Sequence, residues 1–383
     1  MDSCDILIVG GGPAGSSCAQ SLRDSGLNVV ILDRSVFPRD KVCGGWITPQ
    51  VVEELGLDLN SYRRGRILQP ITSFIVGAIE GKAISVGFDS PVSYGIRRCE
   101  FDTYLLQRSG AELHQGVPIR SIERTRHGWL VNGEFHARML VGAGGHFCPV
   151  ARYLGNNPAA LPVVAQEVEF RMSEEEIRGC SVRPEVPELY FCRDLVGYGW
   201  VFRKGDYLNI GLGRLDSRGL RSHMERFVGW LESQGRLRLQ RKPTFHGHAY
   251  FLFGGSCRRL VDDGVLLIGD SAGLAYPQSG EGIRPAIESG MMAAEVLRQA
   301  AGDYSRSKLD IYAVRLIERF STPATPLQKL GEKLPKQLRI SIGRSLLRTE
   351  RFGRMVVEDW FLHRKDPALR LSSTPALARP PAA

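Results

Sequence analysis

No stretch of this chain approaches the roughly 18 consecutive apolar residues of a membrane span. Eight cysteines stand at 4, 18, 43, 99, 148, 180, 192 and 257, with no Cys-x-x-Cys pair and irregular intervals. A disulfide framework or a zinc site is therefore not expected, and a reducing cytoplasm is. The N-terminus runs straight into Asp5-Ile-Leu-Ile-Val9 without a basic flank or cleavage site, so no secretory signal is expected either. No internal repeat of solenoid length is visible. Lysine is scarce, 9 residues against 41 arginines, and the net charge is +9. The basic residues are scattered except near the C-terminus, and no nucleic-acid motif accompanies them, which excludes nucleic acid as the expected partner.

What is present is an ordinary globular balance. The 383 residues are 43% hydrophobic and 24% charged, enough for one large domain or two ordinary ones. Residues 5–9 are a branched apolar run that reads as a buried parallel strand. Gly10-Gly-Gly12-Pro13-Ala14-Gly15 follows at once, then a helical pattern from Ser16 to Ser25, then a second strand from Asn28 to Leu32 closed by Asp33 and Arg34. Gly10 permits the tight turn, Gly12 admits a pyrophosphate, and Gly15 lets the helix pack on the strand. Phosphate then meets the helix N-terminus, and Asp33 accepts from ribose hydroxyls. This unit predicts a dinucleotide, either FAD or NAD.

A second glycine-rich strand end lies far downstream. The strand Val265–Ile268 runs into Gly269-Asp270-Ser271-Ala-Gly273, then Pro277-Gln-Ser-Gly280-Glu281-Gly282-Ile283-Arg284, and a helix is expected from Pro285 to Gln299. Small residues there admit a flat ligand, and Asp270 can hold ribityl or ribose hydroxyls.

Four stretches now resemble one family. They are the N-terminal unit; Arg39-Asp-Lys41-Val-Cys43-Gly44-Gly45; Gly269-Asp270 with Gly280-Glu-Gly282; and Tyr198-Gly-Trp200-Val-Phe202-Arg203-Lys204. Together they resemble the p-hydroxybenzoate hydroxylase-fold flavoproteins, and among them the geranylgeranyl reductases. The resemblance implies an α/β fold: a Rossmann-like FAD-binding domain, an inserted, mostly antiparallel β-sheet substrate domain, and a C-terminal helical segment. It implies FAD, with Cys43-Gly44-Gly45 near the flavin ring and Arg98 beside the cofactor. It places the positive end of the downstream helix against the flavin N1–O2 side. Tyr198, Trp200 and Phe202 alternate, so they share one strand face and would floor an apolar substrate pocket.

Each role has a plainer counterpart. Cys43 is a proton-giving thiol or a small buried residue. The three rings are a substrate floor or ordinary sheet core. Arg98 is a cofactor contact or a helix-start charge, and Glu281 a flavin neighbour or an exposed loop acid. His246-Gly-His248 lacks a third ligand at useful spacing, so no metal is expected. Two positions depart from the family. Gly144, in Gly142-Ala-Gly144-Gly-His146, replaces the usual Asp, which puts direct nicotinamide docking in question. Arg203 replaces Pro, as a cation for an anionic head group or as a solvated strand end.

The FAD-binding domain is expected to be discontinuous, over 1–68, 92–155 and 255–301, with 69–91 and 156–254 forming the substrate domain. Residues 302–383 read as a helical segment with a disordered Pro375–Ala383 tail. In that segment eight basic residues lie between Lys329 and Arg354, and Leu327, Leu330, Leu334 and Leu338 recur around Pro335. They predict a helix capping the substrate domain or a peripheral contact of a cytoplasmic protein with a membrane surface. No second complete G-x-G-x-x-G follows a strand, so electrons come from transient NAD(P)H contact or an external donor. The sequence thus predicts an FAD-dependent reductase of carbon–carbon double bonds in a prenylated or other apolar small-molecule or lipid substrate. The alternatives are a monooxygenase or halogenase of secondary metabolism and a non-catalytic flavin-binding module.

Overall fold

The computed structural model describes residues 2–156, 162–216, 218–254, 258–321 and 333–371. Its first sheet is built on five parallel strands in the order Glu112–Gln115, Val29–Asp33, Asp2–Val9, Phe135–Gly142 and Val265–Leu267. Val261–Asp262 adds an antiparallel edge, and Ile122–Thr125 and Gly128–Val131 form a flanking antiparallel extension. The central strands are almost continuously apolar because helices cover the sheet, and Ile6, Leu7, Ile8, Leu140, Val141 and Leu266 are fully buried.

The helix Pro13–Leu22 starts on a proline, whose fixed φ suits the first helical position. It packs along Ile283–Gln299, and the two approach so closely that a Cβ on Gly290 would overlap the Ala14 carbonyl oxygen. The first helix begins three residues earlier than expected, because Pro13-Ala14-Gly15 carries no amphipathic signal, and the second begins two earlier, at Ile283, with Pro285 third rather than first in the helix.

The second sheet has seven strands, ordered His246–Tyr250, Val163–Arg171, Tyr207–Arg214, Gly197–Lys204, Glu188–Phe191, Ser73–Ala78 and Ala83–Gly87. Every pairing is antiparallel except Glu188–Phe191 with Ser73–Ala78. A hairpin turns at Gly205-Asp206, where Gly205 has φ +58. The helix Leu220–Ser233 packs behind this sheet and ends two residues before Gly235, at φ +62. A three-stranded ribbon of Trp46–Ile47, Ser93–Ile96 and Leu68–Ile71 lies beside it.

After the helix Arg306–Phe320 come Lys336–Leu346, Glu350–Met355 and a π-helical turn, Val356–Phe361. The leucine recurrence is not one helix face. Leu334 precedes the helix, which Pro335 starts, and Leu327, Leu330, Cys257 and the Pro375–Ala383 tail lie outside the described residues. Among the described residues no helix is long and apolar enough to cross a membrane.

Candidate functional site

A cavity of about 550 Å³ runs between the two sheets, within the roughly 300–1,000 Å³ usual for ligand sites. One end is the turn after the first strand. Gly10 holds φ +117, and a Cβ there would overlap the Ala143 carbonyl oxygen of the neighbouring strand end. Asp33 stiffens this turn: its Oδ2 accepts from Gly11 N at 2.7 Å and its Oδ1 from Ser35 N at 2.8 Å. Gly12, Pro13, Ala14 and Arg34 complete the wall. Gly15 and Gly269 do not reach the cavity. A Cβ on Gly15 would overlap the Gly10 carbonyl, and one on Gly269 (φ +62) would lie 2.9 Å from Ala14 Cβ, so both act behind the wall by permitting close packing.

The middle of the cavity is polar. Asp270 lies 3.6 Å from His248 Nε2, which is 2.7 Å from Lys41 Nζ. Burial opposes the Asp270 charge, but His248 and Lys41 hold its carboxyl down at about 2. Burial lowers Lys41 and His248 in turn. Arg98 grips Asp102 with two hydrogen bonds, at 2.8 and 2.9 Å. Despite burial, Asp102 holds the Arg98 guanidinium above its ordinary range. Gly280, Gly282 and Ile283 close this part. Between the two glycines Glu281 accepts from Arg284 N at 2.8 Å, while its Oε2 has no hydrogen-bond partner among the described residues. Burial pushes this carboxyl up to about 7.

The far end is aromatic. Strand alternation brings Tyr198, Trp200 and Phe202 onto the cavity, together with Trp46 and Tyr250. Trp200 lies over Gly211 of the next strand, where any Cβ would collide with the indole. Gly44 faces Phe202, and an added Cβ would sit 2.8 Å from Cε2. The Tyr198 hydroxyl donates to Ser279 O at 2.5 Å and so joins the second sheet to the Gly280 loop. Arg203 points the other way, its Nε donating to Gly205 O at 3.0 Å, and it does not line the cavity. The expectation of a head-group cation at this position is therefore corrected, because alternation turns 203 outward.

Sequence reasoning missed a polar network beneath the rings. Asn209 Oδ1 accepts from Trp200 Nε1 at 2.7 Å, and Asn209 Nδ2 donates to Cys43 O at 3.1 Å and to Glu169 Oε1 at 3.3 Å. Lys204, fully buried, donates to Glu169 at 2.7 Å. Burial pushes neighbouring Glu167 up to about 8, against the pull of Lys204 and of the Cys43 amide. His248 was visible as half of a His-x-His pair, but only as a weak metal signal. At Gly144 a Cβ would come 3.2 Å from Cys148 Cα and 3.3 Å from its Sγ, so Cys148 crowds the side an aspartate would use.

These groups fit FAD. A glycine-lined cradle, a low-pKa acid for hydroxyls and the cations Arg39 and Lys41 meet its pyrophosphate and ribityl chemistry. Residues 3–160 match the family model described as an FAD binding domain. The chain is 26% identical over 340 residues to the digeranylgeranylglycerophospholipid reductase of Methanocaldococcus jannaschii, covering 83% of each chain. The chain resembles the geranylgeranyl reductase-like flavoproteins. This flavoprotein is also 29% identical to the menaquinone reductase of Mycobacterium tuberculosis, over 77% of each chain. Its fold is that of a geranylgeranyl bacteriochlorophyll reductase-like structure from Thermoplasma acidophilum, with TM-score 0.74, 21% identity, and coverage of 95% of this chain and 98% of the other. It is an FAD-dependent oxidoreductase.

Proposed function

We propose that this flavoprotein reduces carbon–carbon double bonds in a prenylated or similarly apolar molecule. The supporting observation is the continuity of one cavity from the dinucleotide turn to the floor of Tyr198, Trp200 and Phe202. The two relatives above are named for a digeranylgeranylglycerophospholipid and for menaquinone, which agrees with an apolar substrate. FAD, when bound, supplies the hydride. Gly10, Gly12, Pro13, Ala14, Asp33, Arg34, Gly44, Gly45, Arg98, Asp270, Gly280, Gly282 and Ile283 would hold it, with Gly15 and Gly269 shaping the cradle from behind.

The chain's own task is to orient an alkene, exclude water and deliver a proton. Tyr198 and Trp200 position the apolar chain. The Cys43 thiol, beside Arg98, gives the proton to the carbon next to the one receiving hydride. Glu281 is the second acid on the wall. Electrons enter from reduced nicotinamide or an external protein donor, and the crowding at Gly144 favours the latter. We assign 1–68, 92–155 and 255–301 to a discontinuous FAD-binding domain, and 69–91 and 156–254 to the substrate domain.

Anaerobic incubation of the reduced protein with prenyl lipids and prenylquinones, read by mass, tests this function. A gain of two hydrogens supports it. Product that forms only with oxygen and carries an added oxygen or halogen overturns it.

A further inference from the structure

The helix Lys336–Leu346 contains no buried residue. Leu338, Ile342 and Leu346 recur every fourth position and are 46%, 41% and 41% exposed, which makes one outward apolar stripe. The helix touches the rest of the protein elsewhere. Gly343, off the stripe, faces Leu195, and Leu347 just beyond the helix is buried.

Lys336 and Arg339 are exposed on the same helix, Arg348 and Arg351 are exposed just beyond its end, Arg344 is half-buried on its far face, and Glu350 is the only acid between residues 333 and 354. Among the described residues none of these five side chains is ion-paired, whereas the next cation, Arg354, meets Glu358. Three aliphatic side chains held open to solvent within a field of unpaired cations need a partner both apolar and anionic. Nucleic acid meets the cations and leaves the stripe wet. A second copy of this chain, net +9, brings like charge. A layer of anionic lipid meets both demands at once.

The placement relative to the cavity points the same way. Leu347 packs in one cluster with Val356, Val357 and Phe361. The Phe361 ring then stands 5.3 Å from Tyr198 and 5.8 Å from Trp46, against the aromatic end of the cavity. The exposed helix therefore leads within a few turns to the place where an apolar chain would be held.

We propose that the helix Lys336–Leu346 lies in the surface of an anionic lipid bilayer, with Leu338, Ile342 and Leu346 at the acyl boundary and the flanking cations among the headgroups. Its use in lipid entry rests on the function proposed above; the docking itself does not.

The test is co-sedimentation of the full-length, FAD-loaded protein with vesicles of equal phosphatidylglycerol and phosphatidylcholine, or of phosphatidylcholine alone. The protein pellets with the mixed vesicles at low salt, is released by high salt, and pellets weakly with phosphatidylcholine. Arg339→Gln and Arg348→Gln each weaken partitioning about fivefold. The combined change Leu338→Gln, Ile342→Gln and Leu346→Gln abolishes it, while bound flavin and its visible spectrum stay those of the unaltered protein. Three results overturn the docking. The unaltered protein remains in the supernatant at low salt; the triple variant pellets as well as it does; or sedimentation shows a dimer that the triple variant splits, so that a second copy covers the stripe. Protein that pellets with vesicles yet leaves every prenyl lipid unreduced keeps the docking and loses the proposed reaction.

Discussion

Asn209 and Cys43 lie 166 residues apart, yet the Asn209 side-chain amide donates to the Cys43 carbonyl oxygen at 3.1 Å. The contact joins the seven-stranded sheet to the Cys-Gly-Gly loop. The same amide reaches Glu169, and its oxygen holds the Trp200 indole. One side chain thus sets the loop and the floor of the cavity relative to each other. Asn209→Ala leaves buried partners unsatisfied, at a cost of about 1–3 kcal/mol. A lower melting temperature is expected, with faster alkylation of Cys43 in peptide-resolved mass spectrometry. An unchanged alkylation rate would show that the loop holds its place without this amide.

Gly10→Ala should empty the cofactor site. The position combines φ +117 with a carbonyl where the new Cβ must go, and the backbone strain alone costs about 1–3 kcal/mol. The expected product is a folded, colourless protein, measured as the flavin-to-protein ratio after gel filtration. Full flavin occupancy would refute this account of the turn.

Cys43→Ala should retain flavin and lose turnover. A positioned proton donor contributes about 10²–10⁴-fold. The fall belongs in the rate constant at saturating substrate and not in flavin content. Turnover equal to that of the unaltered protein would remove the thiol from the chemistry and leave Glu281 as the acid.

Lys204 and Arg203 are adjacent and should behave oppositely. Lys204→Met strips Glu169 of its closest cation in a buried setting, where breaking such a pair costs about 3–5 kcal/mol. Arg97, 3.3 Å from Glu169, moderates the loss towards the lower figure. Arg203→Ala removes only a turn contact and should stay within about 0.5 kcal/mol. Denaturant unfolding of both variants measures the contrast.

Burial raises the Glu167 carboxyl from 4.5 to about 8 in the folded protein. The folded state therefore binds this proton more tightly than the unfolded chain does. The resulting stability is complete below the unfolded value, and it is lost as pH rises through about 8. Melting temperature should fall as pH rises from about 4.5 to about 8 and level off above that, and Glu167→Gln should flatten that fall. Parallel curves for the two proteins would contradict the shift.

The cofactor end of the cavity was legible because its signal is local. Strand, glycine turn, helix and Asp33 lie within one short stretch, and each glycine answers a backbone constraint that its neighbours reveal. The aromatic floor was legible from alternation alone, which also turns Arg203 outward. The network beneath it was not. Asn209 acquires meaning only through the register that sets it opposite Glu169 on one side and Phe202 on the other. No spacing announces which residues two paired strands will align. Lys204 reads as a turn charge until Gly45 and Gly95, from the Cys-Gly-Gly loop and the three-stranded ribbon, close over it. The C-terminal leucines misled for a different reason: their periodicity continues across Pro335, and the helix does not.

The short bond from the Tyr198 hydroxyl to the Ser279 carbonyl has a consequence for how the protein can be watched. A guest that tilts this ring must tug the loop that carries Gly280 and Gly282. If the cofactor lies against that loop as proposed, its visible spectrum should shift when the opposite chamber fills, before any product is made.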